Sequence, residues 1–134
     1  MTGMNIETHR RALKESLDEI KDAVQTGLER KQRTIGFHCS AAAVDMLELW
    51  LHQEGFIDPG TTIKHDVFTS FRKAEEKLPA FDKKNEILKL MVGLEGKRNA
   101  LVYGKAQPRR AIEDYLEAFN RLKEMMFDMG VEYE

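Results

Sequence analysis

The chain has 134 residues, of which 42% are hydrophobic and 33% charged, with a formal net charge of -2. That length lets one domain, expected to span residues 1–134, bury its own core without metals or disulfides. The mixture excludes a disordered chain and one that is basic throughout, but leaves room for local basic patches. A single cysteine, Cys39, cannot form an intramolecular disulfide, which points to a reducing, cytoplasmic setting. The opening MTGMNIETHRR has no apolar leader, and no apolar run approaches membrane-spanning length, so no membrane association is expected.

Nearly every segment carries a helical period. Leu13, Leu17, Ile20, Val24 and Leu28 fall in steps of three and four, which predicts one apolar stripe on a long first helix. Residues 35–53 are apolar almost all round and contain three consecutive alanines. A helix without a polar face is buried on several sides, so this one is expected at the centre of the bundle or at a subunit contact. Asp58-Pro59-Gly60 predicts a turn. Thr62 is the expected N-cap of a third helix with the stripe Ile63, Val67, Phe71, Ala74 and Leu78, closed by Pro79. Asp82 is the expected cap of a fourth, with Ile87, Met91 and Leu94 inward and Gly104 at its end. Pro108 suits the first turn of a last helix carrying Ile112, Tyr115, Leu116, Phe119, Leu122, Met126 and Met129. No strand alternation, internal repeat or low-complexity linker interrupts the pattern. The expected fold class is all-α, an antiparallel bundle of four to five helices.

The fourth stripe extends from Leu94 to Arg98, so an arginine falls on the core side of its helix. A buried guanidinium needs a carboxylate, a set of carbonyls or an anionic ligand. The charge pattern offers the last. Between residues 97 and 110 stand Lys97, Arg98, Lys105, Arg109 and Arg110 with no acid, a local sum of five minus zero, or +5, in a chain of -2. The start of the last helix adds its free amides and dipole to that elbow. An ion pair across the core and a solvated basic loop are the plainer readings of the same residues.

The histidines are His9, His38, His52 and His65, and no two share the i, i+4 spacing of a helical metal site. No metal and no cofactor are expected. Cys39 reads as a small core residue. No glycine-rich phosphate loop, serine-nucleophile elbow or paired-carboxylate motif occurs.

The stretch KRNALVYG, residues 97–104, together with this layout, resembles the HEPN superfamily of small all-α domains, whose frequent motif is Arg-Asn-x-Leu-x-His-Gly. Arg98, Asn99, Leu101 and Gly104 match it, the alanine-rich second helix resembles the family's second helix, and His65-Asp66 resembles the start of its third. The specific part is the short fourth-helix motif. The resemblance implies a homodimer with the motifs facing across the interface, and a metal-independent ribonuclease activity in many members. There the arginine stabilises a charged phosphorane and the histidine assists a ribose 2′-hydroxyl. Here Tyr103 replaces that histidine. A tyrosine, with an ordinary pKa of about 10, is a poor general base near neutrality. The tyrosine that a partner nucleotidyltransferase modifies in some family toxins is Lys105 here.

The implied function is a catalytically degenerate HEPN-like module that binds RNA or a nucleotide, paired with a small nucleotidyltransferase in a toxin–antitoxin or defence setting. Its catalytic set would be Arg98, Asn99 and Tyr103, and its phosphate or RNA contacts Lys97, Lys105, Arg109, Arg110 and His65. The alternatives are an active metal-independent endoribonuclease using Arg98, and a helical adaptor without a ligand. A regular helix turns the side chain about 140° over five residues. Arg98 and Tyr103 are therefore expected to share a site only if the helix bends or ends near Gly104, or if two subunits meet.

Overall fold

The computed structural model describes the backbone of residues 2–133 and the side chains of residues 6–133; Met1 and Glu134, the ends of the expected domain, lie outside the described residues. The described residues form five α-helices: α1 (Thr2–Thr26), α2 (Gln32–Gln53), α3 (Phe71–Lys77), α4 (Lys84–Val102) and α5 (Arg109–Asp128). No strand occurs among the described residues.

Helix α2 is the hub, packing against α1, α4 and α5. This is the burial expected of a helix with apolar residues on every side. Cross-helix bonds fix the directions. His9 meets Asp45 while Ser16 meets His38, so α1 runs antiparallel to α2. Gln32 meets the Leu101 carbonyl while Ser40 meets Glu95, so α4 is antiparallel to α2 as well. Tyr115 reaches Gly36 and Trp50 reaches Met129, so α5 runs parallel to it. The all-α bundle is as expected.

Three local expectations change. The first helix buries Leu13, Ser16, Ile20 and Ala23, while Leu17 is only half-buried and Val24 is exposed. Its contact stripe is thus rotated towards the small residues, which let α1 come close to α2. The expected third helix is broken in two. A 3-10 turn, His65–Thr69, comes first, and Ser70, extended at φ -149° and ψ 153°, caps α3 by accepting from the Lys73 N–H. Thr69 hydrogen-bonds the Asp66 carbonyl at 2.9 Å, so neighbouring hydroxyls compete with the helical ladder and move the cap from Thr62 to Ser70. Asp82 does not cap α4. Lys83 occupies the N-cap in the left-handed region at φ 61°, with no side-chain cap bond. The Lys84 ammonium instead closes the end of α3, donating to the Leu78 and Glu75 carbonyls.

The α2–α4 contact is close. A Cβ placed on Gly36 would stand 2.6 Å from the Leu101 Cβ, so the glycine is what allows the backbones to meet there. Tyr115, buried, donates its hydroxyl to the Gly36 carbonyl at 2.9 Å and ties α5 to the same point. Gln32 joins the elbow after α4. Its amide donates to the Leu101 and Lys105 carbonyls at 3.2 and 3.1 Å and accepts from the Gln107 N–H at 2.8 Å. Gly104 is required at that elbow, because a Cβ there would lie 2.4 Å from the Ala100 carbonyl oxygen.

Candidate functional site: a seam between α2 and α4

Arg98 does not enter the core. It is half-buried at the rim, with its guanidinium over the ring of Phe37, 5.8 Å from the centroid. Among the described residues no carboxylate lies within ion-pair distance of it, and its buried Nε has no hydrogen-bond partner. Of the partners that burial demands, the intramolecular carboxylate is missing, and only an aromatic face is supplied.

Two further stations flank this one. On one side Arg33 lies 6.0 Å from the ring centroid of Tyr103, which is 70% exposed. On the other, the Oε2 of Glu95 meets His65 Nδ1 at 3.2 Å and accepts from the Ser40 hydroxyl at 3.3 Å. The three stations follow from helical spacing. Arg33, Phe37 and Ser40 are four and three residues apart on α2, as Glu95 and Arg98 are three apart on α4. Such residues share one helix face. The result is a polar seam that alternates guanidinium, aromatic ring and imidazole along the α2–α4 contact. Its Arg33–Tyr103 end opens onto a groove of about 500 Å³ that also takes in Arg30 and Gln32.

Other expected contacts lie elsewhere. Tyr103 is not at the Arg98 station but one helical turn along, against Arg33. Helix α4 ends at Val102, but Tyr103 stays in the right-handed region and its N–H still bonds the Asn99 carbonyl at 2.9 Å, so its ring follows the helical register. Asn99 is exposed and makes no hydrogen bond to the described side chains. Lys97 borders a small cleft of about 260 Å³ with Asp114 and Tyr115. Lys105 is exposed and contributes its carbonyl to Gln32. Arg109 pairs with Glu29 and Glu113, and Arg110 with Asp114. The local excess of +5 is therefore partly neutralised by Glu113 and Asp114, just beyond the stretch counted, and by Glu29 from the α1–α2 connection. His65 does join the seam, through Glu95.

Sequence reading missed Arg33, Phe37, Ser40 and Glu95. The only signal for the first three was their common face on α2, and there Phe37 looked like one more core residue. It is 45% exposed.

A separate ionic cluster sits at the far end of α2. Glu48 is fully buried and contacts His9 and the Ile63 N–H, while His9 also bonds Asp45 at 2.8 Å. The two carboxylates hold the His9 pKa up, at about 9. His52 Nε2 lies 3.6 Å from Glu48 and 2.9 Å from the Thr61 carbonyl. No group of side chains fit to hold a metal occurs among the described residues. Burial pushes the Cys39 thiol and the Tyr115 phenol far up, so both stay neutral and serve the core. No helix among the described residues is long and apolar enough to cross a membrane.

The fold and seam together define an all-α helical bundle with a half-exposed, unpaired arginine between two of its helices. No family model, curated protein or solved structure matches the chain.

Proposed function

We propose that the α2–α4 seam binds the phosphate of an RNA or a nucleotide, and that the chain is a HEPN-like binding module, catalytically degenerate. The observation that carries this reading is the Arg98 guanidinium, which is half-buried with no carboxylate partner among the described residues. A guanidinium forks onto phosphate oxygens, and the nearby rings of Phe37 and Tyr103 are faces on which bases stack. Degeneracy is supported by Tyr103, which stands where the resemblance calls for a histidine and is engaged by Arg33, not by Arg98. The same resemblance brings a homodimer and a small nucleotidyltransferase partner into the reading. Sedimentation and co-purification test these two.

The deciding experiment is binding of a labelled single-stranded RNA across a salt series, with and without Arg98→Ala. Salt-sensitive binding that weakens tenfold or more in the variant supports the reading. Binding unchanged in the variant, or no binding, leaves a helical adaptor. Chelator-resistant RNA cleavage that disappears in Arg98→Ala would replace the degenerate module by a metal-independent endoribonuclease.

A further inference from the structure

The Ser40–His65–Glu95 station has a free end. His65 directs Nδ1 at a carboxylate oxygen, 3.2 Å from Glu95 Oε2 and 3.3 Å from the Ser40 hydroxyl. A nitrogen facing a carboxylate carries its hydrogen, so the neutral ring presents Nε2 as an acceptor. That Nε2 has no partner among the described residues, and the side chain is 40% exposed. Glu95 is 18% exposed, and the same Oε2 accepts from the hydroxyl of the buried Ser40, so the three groups form one triangle. The imidazole is thereby held by two groups at Nδ1, while Nε2 stays unengaged among the described residues. The phosphate seat is its neighbour, since Glu95 precedes Arg98 by three residues and Phe37 precedes Ser40 by three.

We propose that His65, oriented by Glu95 and Ser40, is a specificity-determining residue that accepts a hydrogen bond from a ligand hydroxyl adjacent to the phosphate held by Arg98. A ribonucleotide carries such a hydroxyl at the 2′ position, beside its 3′ phosphate, and a deoxyribonucleotide does not. The seam thus selects ribose over deoxyribose. This rests on the proposed role of Arg98 and adds to it a group that reads the sugar. A purely structural role, in which Glu95 only tethers the 3-10 turn, gives His65 an effect on stability but none on the choice of sugar.

The test compares two labelled single strands of one sequence, uridine-containing RNA and deoxyuridine-containing DNA, by fluorescence anisotropy on the full chain. The wild type is expected to favour RNA about tenfold, the worth of one well-made hydrogen bond of about 1.4 kcal/mol. His65→Ala should bring RNA binding down to the DNA level and leave DNA binding unchanged. His65→Asn keeps a donor near the position of Nδ1 for Glu95 but has no atom where Nε2 stands. It should give the same loss with the fold intact by circular dichroism. Equal wild-type affinity for the two strands, still dependent on Arg98, overturns the sugar reading and leaves the phosphate seat standing. So does a ribose preference that survives both variants. Failure of both strands to bind, or binding indifferent to Arg98→Ala, removes the phosphate seat and the sugar reading with it.

Discussion

The Arg98 guanidinium lies over Phe37 with 5.8 Å between its carbon and the ring centroid, and the ring is 45% exposed. Helix α2 thus offers α4 an aromatic face in place of a carboxylate. A cation over an exposed ring gains only about 0.5–1 kcal/mol, so the pair orients the guanidinium without consuming its charge. Phe37→Ala is expected to change the unfolding midpoint little, because the ring is half in water already. It should weaken RNA binding several-fold by freeing the guanidinium and removing a stacking surface. Arg98→Lys keeps the charge and loses the planar fork, and should fall between wild type and Arg98→Ala. Anisotropy titrations with thermal melts of the same samples check both outcomes.

The close approach of α2 and α4 makes Gly36 sensitive to a single methyl. Alanine favours a helix interior over glycine by about 1 kcal/mol. Here its Cβ would stand 2.6 Å from Leu101 Cβ and 3.2 Å from Val102 Cγ2. These atoms sit at or near the backbone and cannot swing aside, so the helices must part. Overpacking of this kind costs about 1–3 kcal/mol. Gly36→Ala is expected to be destabilising overall, by up to about 2 kcal/mol in urea unfolding, and, on the proposed function, to weaken RNA binding as the seam widens. A variant at least as stable as wild type would show that the contact has slack.

This contact also shows what could be read in the sequence. The periodic signals of α2 and α5 survive intact, because a helix buried on three sides and one with a steady inward stripe are both local patterns. The break in the third helix is hidden, because Ser70 and Thr69 prefer their own backbone partners over a helical ladder that the apolar spacing alone would continue. That Arg98 follows the core-side stripe was legible, but its half-burial at the rim and its aromatic partner were not. Its partner Phe37 belongs to another helix and differs from the core residues around it only in exposure. The basic elbow was overstated for a similar reason. Glu113 and Asp114 lie a helical turn beyond the arginines they pair with, and Glu29 comes from the α1–α2 connection, far away in sequence.

The His9 cluster predicts a pH dependence. Hydrogen bonds that it donates to the Asp45 and Glu48 carboxylates raise its pKa to about 9, above the ordinary 6.5. A raised pKa means that the folded state binds the proton more tightly. The stabilisation is therefore complete below about pH 6.5 and is lost as pH climbs through 9. After allowance for solvent screening it is on the order of 1–2 kcal/mol. Urea unfolding between pH 6 and pH 10 should show stability falling across that window, and His9→Gln should flatten the fall. Glu48→Ala is the severe case. It strips a fully buried carboxylate from His9 and from the Ile63 N–H and should cost about 3–5 kcal/mol.

Gln32 supplies the last prediction, because one buried amide holds the elbow that carries Tyr103, Lys105 and Gln107. It donates to the Leu101 and Lys105 carbonyls and accepts from the Gln107 N–H, and no other side chain hydrogen-bonds the Leu101 carbonyl among the described residues. In Gln32→Ala the Leu101 carbonyl and the Gln107 N–H lose this partner, while the Lys105 carbonyl keeps the Gln107 side-chain amide at 3.3 Å. The Leu101 carbonyl, beside a buried side chain, is the least able to find water. A buried polar group left unmatched costs about 1–3 kcal/mol. The expected result is a loss of that size in stability and faster hydrogen exchange at the Gln107 amide, with amides in the middle of α5 slowed as before. Gln32→Glu keeps the acceptor for Gln107 but sets a carboxylate against two carbonyls, so it should be no better than alanine. If Gln107 exchanges at the wild-type rate in both variants, the elbow is held by the close fit of Gly104 against Ala100, and the amide clamp is incidental.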